Sequence, residues 1–144
     1  TPNYTSNVSS YRPVYDHQSV YDHISKNDNN NDILITQWTS SATYYYRAPD
    51  YSLQGEEFVN ITDRYSYKGK NEYSGAKFIF EAKELEKIVQ NSTGWLVLRE
   101  GALERKPVGI QQVVKSGMHE VGEFRNMRVW KWDNIVIEGE RSER

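Results

Sequence analysis

The sequence predicts a small three-layer α/β domain with a mostly parallel sheet, helices on both faces of that sheet and an antiparallel hairpin near the carboxyl end. Three observations predict it. Short apolar runs at 33–36, 76–80 and 95–98 have the length and the β-branched or aromatic content of buried strands. Segments with helical spacing of apolar residues separate them, so successive strands need crossovers and pair in parallel. The region from about Glu120 to Trp132 alternates in facing about Arg125-Asn126, which is a hairpin pattern.

Taken in order, Pro13 suits a first helical turn, and Val14, Tyr21 and Ile24 share one face, predicting a helix over about 13–26 that stops at the Asn-rich run 26–32. Ile33-Leu34-Ile35-Thr36 is a buried strand. Ser40-Ser41 caps a short helix over 42–46, closed by the Ala48-Pro49 step. Residues 47–75 are rich in turns and yield only a weak strand at 58–62. Ala76 to Phe80 is the next strand, and 81–90 a helix with Leu85, Ile88 and Val89 inward. Gly94 separates it from the strand at Trp95 to Leu98, and Pro107 opens a helix that Gly117 ends. In the hairpin, Met127, Val129 and Lys131 oppose Arg128, Trp130 and Trp132. The resulting order of crossovers is Rossmann-like. A single domain spans 11–137, with polar ends at 1–10 and 138–144 expected to fray.

Composition narrows the function classes. At 144 residues, one core suffices without disulfides or a structural metal, and the absence of cysteine excludes thiol chemistry and iron–sulfur ligation. With 18 Lys+Arg against 20 Asp+Glu, nothing draws the chain to nucleic acid. No apolar run approaches the length of a membrane span, so the piece is expected to be soluble. It begins Thr1-Pro2, which reads as a processed product or an excised fragment. All 11 tyrosines lie between Tyr4 and Tyr73, and their rings are expected to carry part of a core poor in aliphatics.

No catalytic, metal or cofactor set emerges. The repeat Val14-Tyr15-Asp16-His17 and Val20-Tyr21-Asp22-His23 invites a metal reading, but a six-residue step on a helix turns the two histidines about 120° apart. His119 lacks a nucleophile context, Glu56-Glu57 and Glu81/Glu84 are ordinary surface pairs, and no Gly-rich phosphate loop is present. A small hydrolase using His17, His23 or His119 therefore ranks below a binding role. The stretch from Trp38 to Tyr46 is more informative, because it follows the first strand and ligands in open α/β sheets bind beyond the carboxyl ends of strands. Trp38, Tyr44, Tyr45 and Tyr46 are the ligand-contact candidates, weighed against a reading in which they divide between core and surface. Asn3, Asn7, Asn60 and Asn91 head N-glycosylation sequons.

The segments YRPVYDHQSVYDHI, DILITQWTSSATYYY, SGAKFIFEAKELEKIV, GWLVLRE and MRVWKWDN, in that order, resemble the soluble extracytoplasmic domain that follows the membrane spans of GT-C glycosyltransferases. The similarity is to the protein mannosyltransferase and aminoarabinose transferase-like group of archaea and bacteria. It covers about 11–133, with 47–75 matching nothing specific. The resemblance implies that catalytic acids and the lipid-linked donor site belong to the transmembrane part of the parent chain. This piece would be a non-catalytic accessory domain, tethered to the membrane outside the cytoplasm and shaping access for a glycan or protein acceptor. The alternative is a free-standing secreted module that binds carbohydrate or protein.

Overall fold

The structure, a computed structural model, describes residues 14–54, 66–67, 70–71 and 75–133. Pro13, the expected strand at 58–62, Glu56-Glu57 and the terminal segments 1–10 and 138–144 lie outside the described residues. The predicted α/β class holds. The elements are α1 (His17–Asn27), β1 (Ile33–Thr36), α2 (Thr39–Tyr45), β2 (Tyr51–Leu53), β3 (Ser66–Tyr67), β4 (Lys70–Asn71), β5 (Lys77–Ile79), α3 (Ala82–Asn91), β6 (Gly94–Arg99), a 3₁₀ turn (Leu103–Arg105), α4 (Val108–Gly117), β7 (His119–Phe124) and β8 (Met127–Trp132).

The strands form one sheet in the order β3-β4-β5-β2-β1-β6-β8-β7. β5, β2, β1 and β6 are parallel to one another, the β7–β8 hairpin runs antiparallel on one side, and the two-residue β3–β4 pair adds the other edge. Asn126, at φ 58, occupies the left-handed position of the turn at Arg125-Asn126.

Alternation along the central strands feeds two cores. Leu34, Trp95, Val97 and Val129 face Val20, Tyr21 and Ile24 of α1 and Ala42 of α2. Ile35, Leu53, Ile79, Leu96, Leu98, Trp130 and Trp132 face Leu85 and Val89 of α3 and Ile110 and Val114 of α4. Each such fully buried aliphatic side chain stabilises the fold by about 1.5–3 kcal/mol. The expected substitution of tyrosine for aliphatics is met by Tyr21, 1% exposed, while tryptophan supplies the aromatic bulk of the second half.

Several boundaries moved for local reasons. α1 starts at His17 rather than at Pro13, because the Asp16 carboxylate accepts from the Ser19 N–H at 3.1 Å and caps the helix there. α2 starts at Thr39, ahead of the serines expected to cap it. β2 was not expected from the turn-rich segment 47–75. Tyr51-Ser52-Leu53 becomes a strand because β1 and β5 pair with it on both sides and bury Ser52 and Leu53. Glu81 and Glu84, considered as paired carboxylates, form a capping box on α3, with Glu84 Oε1 accepting from the Phe80 and Glu81 N–H groups.

Two buried polar clusters pin opposite ends of the sheet. At the amino end of β1, Asp32 accepts from the Asn29 N–H at 2.9 Å, Trp95 Nε1 at 3.2 Å, Lys131 Nζ at 3.0 Å and the Thr93 hydroxyl. Asp28 accepts from the Tyr46 hydroxyl beside it. At the carboxyl ends, buried Lys106 donates to Gln37 Oε1 at 3.0 Å and to the Gln54 and Leu53 carbonyls at 2.9 and 3.4 Å.

Candidate functional site

The chain leaves β1 by α2 toward β2 on one side, and β6 pairs with β1 on the other side after a crossover through α3. α2 and α3 pack on opposite faces of the sheet. The connections thus diverge between β1 and β6 at their carboxyl ends, the place where doubly wound sheets bind ligands; the crevice there, beside Thr36, Trp38, Val97 and Arg99, is shallow and encloses only about 10 Å³.

That crevice is lined by rings. Trp38 lies just past β1, its N–H donating to Thr36 Oγ1 at 3.2 Å. Arg99 ends β6 on the same face as Trp95 and Val97, and its guanidinium lies over the Trp38 ring and 4.5 Å from the Tyr15 ring centre. Tyr15 meets Trp38 edge-on at 5.3 Å between centres, and the His17 imidazole lies 5.5 Å from Trp38. His17 is also nearly parallel to Tyr45, at 9° and 6.4 Å, and Tyr45 stands perpendicular to Tyr44 at 4.8 Å. Tyr44 and Tyr45 are 80% and 43% exposed, so their rings are the open contact surfaces.

Electrostatics at the crevice are those of a cation beside a neutral base. Burial lowers the His17 pKa, the Arg99 charge lowers it further, and Asp16 only partly opposes them. Its Nδ1 is buried with no hydrogen-bond partner among the described residues. Such a ring donates or accepts in its neutral form at physiological pH.

The sequence candidates separate in space. Trp38 and Tyr45 come together at the crevice, with Tyr44 at its rim. Tyr46 instead turns to the amino end of β1, where its hydroxyl meets Asp28 and Arg47 lies 5.6 Å from its ring centre. Trp38 is half-buried and serves as the cushion under Arg99 more than as an open platform. His23 faces Trp95 and Phe124 edge-on, away from His17, as the helical phase predicted. His119 begins β7 on the surface. Among the described residues no group of three or more metal-ligating side chains converges. Asn91 is exposed at the end of α3, and Asn3, Asn7 and Asn60 lie outside the described residues.

Sequence reading missed Tyr15, His17 and Arg99 as members of this edge. Arg99 was legible as the next residue on the Trp95–Val97 face of its strand, but its neighbour was not, because the adjacency of β1 and β6 is a tertiary fact.

A larger groove of about 580 Å³ lies at the amino ends of β1, β2 and β5, between Ile33, Tyr51, Phe78 and Ile88, with Lys77, Glu84 and Lys87 at its rim. Its floor is apolar and its charges lie on its border, so it lacks the convergent polar groups that orient a small ligand. The carboxyl ends of β1 and β6 instead set Arg99 beside Trp38 and His17. No known family, curated protein or solved structure matches this chain. Among the described residues no helix is long and apolar enough to cross a membrane.

Proposed function

We propose that the chain is a non-catalytic accessory domain of a multi-pass membrane glycosyltransferase that uses a lipid-linked sugar donor. It is tethered outside the cytoplasm through the transmembrane part of its parent chain and shapes access for a glycan or protein acceptor. One observation carries the binding part of this reading: Tyr15, His17, Trp38 and Tyr45 gather with Arg99 at the point where the sheet's connections diverge, leaving Tyr44 and Tyr45 open. The rings sit on α1 and α2 and on the residues just before them, and such rings suit the flat apolar face of a sugar. The membrane context rests on the resemblance in order of sequence segments to the extracytoplasmic domains of such enzymes.

The gene upstream of Thr1 tests the context. Multiple hydrophobic spans are the expected finding; a reading frame without them refutes the accessory role and leaves the free-standing carbohydrate- or protein-binding module. Saturation-transfer NMR with oligosaccharides tests the edge. Tyr45→Ala and Tyr44→Ala each weaken binding by about tenfold, or about 1.4 kcal/mol. Binding unchanged in both variants removes the edge from the proposal.

A further inference from the structure

Three cations among the described residues are paired with carboxylates. Arg47 pairs with Asp50 at 3.2 Å, Arg128 with Glu120 at 2.9 Å and Glu104 at 3.1 Å, and Lys131 with Asp32 at 3.0 Å. Arg99 has no carboxylate partner among the described residues, although it is held in place by the Trp38 and Tyr15 rings. Asp16, near the same edge, accepts from the Ser19 N–H to cap α1. A guanidinium stacked on aromatic rings keeps its planar fork of N–H donors directed outward, and that fork matches the two oxygens of a carboxylate or phosphate. Stacking also removes part of the side-chain entropy that an exposed arginine loses when it grips an anion.

We propose that the crevice selects an anionic sugar unit, with the oxyanion on the Arg99 guanidinium and the sugar ring against Tyr45 and His17. The inference deepens the reading of this edge as a ligand-contact surface and rests on it. A further feature supports the choice. The Arg99 charge already acts on His17, so an anion on Arg99 relieves that effect and raises the His17 pKa.

The test uses the 144-residue chain and four probes: glucuronate, glucose 1-phosphate, inorganic phosphate and glucose. NMR follows the Arg99 Nε–H and the His17 ring during titration. At least one anionic sugar binds about tenfold more tightly than glucose and than inorganic phosphate, raises the His17 pKa, and weakens as salt screens the contact. Preference for glucuronate identifies the oxyanion as a uronic acid carboxylate, and preference for glucose 1-phosphate identifies it as a sugar phosphate. Arg99→Gln lowers the affinity for that sugar about tenfold or more, and Arg99→Lys, which keeps the charge and loses the fork, lowers it less. Equal binding of glucose, phosphate binding as tightly as the sugar phosphate, anion binding that survives Arg99→Gln, or no shift with any probe overturns the proposal. Failure here with spans found upstream of Thr1 leaves the accessory-domain reading intact, and success without spans leaves the anion site in a free-standing module.

Discussion

Replacing Asp32 with alanine tests whether the polar cluster at the amino end of β1 holds the fold together. The Asp32 side chain has no solvent exposure, and its four donors come from the Asn29 backbone, Thr93, Trp95 and Lys131 on β8. Truncation leaves the indole N–H and the ammonium without their acceptor. Breaking a buried ion pair from one side costs about 3–5 kcal/mol. Lys131 is 14% exposed and lies 4.6 Å from the centre of the Trp95 ring, so it regains some solvation and the loss falls at the lower end, about 3 kcal/mol. Asp32→Asn keeps the shape and one acceptor oxygen but loses the charge and turns the other oxygen into an NH2 donor, which the Thr93 hydroxyl can turn to accept, so it costs less than Asp32→Ala. In urea unfolding both variants shift the midpoint with the slope unchanged. Combining Asp32→Ala with Lys131→Met costs less than the sum of the two, because the second change removes the stranded charge.

The acid limb supplies a second readout of the same cluster. Burial pushes the Asp32 carboxyl up, but the Thr93 hydroxyl, the Asn29 N–H and the Lys131 ammonium outweigh it and hold it well below the usual carboxylate range. Its folded pKa is thus depressed below the unfolded value of about 3.9. The stabilisation is whole above that value and is lost as pH falls through the folded pKa. Asp32→Asn therefore flattens the stability profile below about pH 4. A loss under about 1 kcal/mol in Asp32→Ala, with an unchanged acid limb in Asp32→Asn, refutes the reasoning.

Other outcomes follow from particular contacts. Asp28 has a raised pKa, first from burial and then from neighbouring Asp32, only partly offset by the Tyr46 hydroxyl, so its charge opposes folding above that pKa. Asp28→Asn accordingly raises stability at neutral pH relative to acid, and chemical denaturation at pH 7 and pH 4 checks the direction. Gly94→Ala places a methyl group 2.5 and 2.6 Å from the Trp132 ring and against the Ile33 carbonyl, and neither the strand nor the buried indole can withdraw. The cost is about 3 kcal/mol or failure to fold, read by thermal unfolding; a change in Tm under about 2 °C counts against this packing. Lys106→Met removes the donor to Gln37, Leu53 and Gln54 at the carboxyl ends of the strands and destabilises by about 2 kcal/mol in the same assay. Stability equal to the parent's would show that these carbonyls find other donors.

The elements most legible in the sequence were those whose signal is local and repeated. α3 has apolar residues at helical spacing, β6 is a continuous apolar run, and Arg125-Asn126 marks the β7–β8 turn, where Asn126 takes the left-handed conformation. β2 was illegible for the converse reason: a Tyr-Ser-Leu triplet carries almost no strand preference, and it extends because β1 and β5 satisfy its backbone on both sides.

By itself the sequence determined the α/β class, the absence of thiol chemistry and the concentration of rings after β1, since composition and short-range periodicity specify these. Only the tertiary structure decided which rings meet. Tyr46 lies immediately after Tyr45 but ends at the opposite end of the strand, because the last turn of α2 carries it to Asp28. Arg99 reaches Trp38 across 61 residues of chain because β6 pairs with β1, and strand adjacency is set by crossovers and by burial on both faces of the sheet. The crevice is a product of strand order, which no local run of residues encodes.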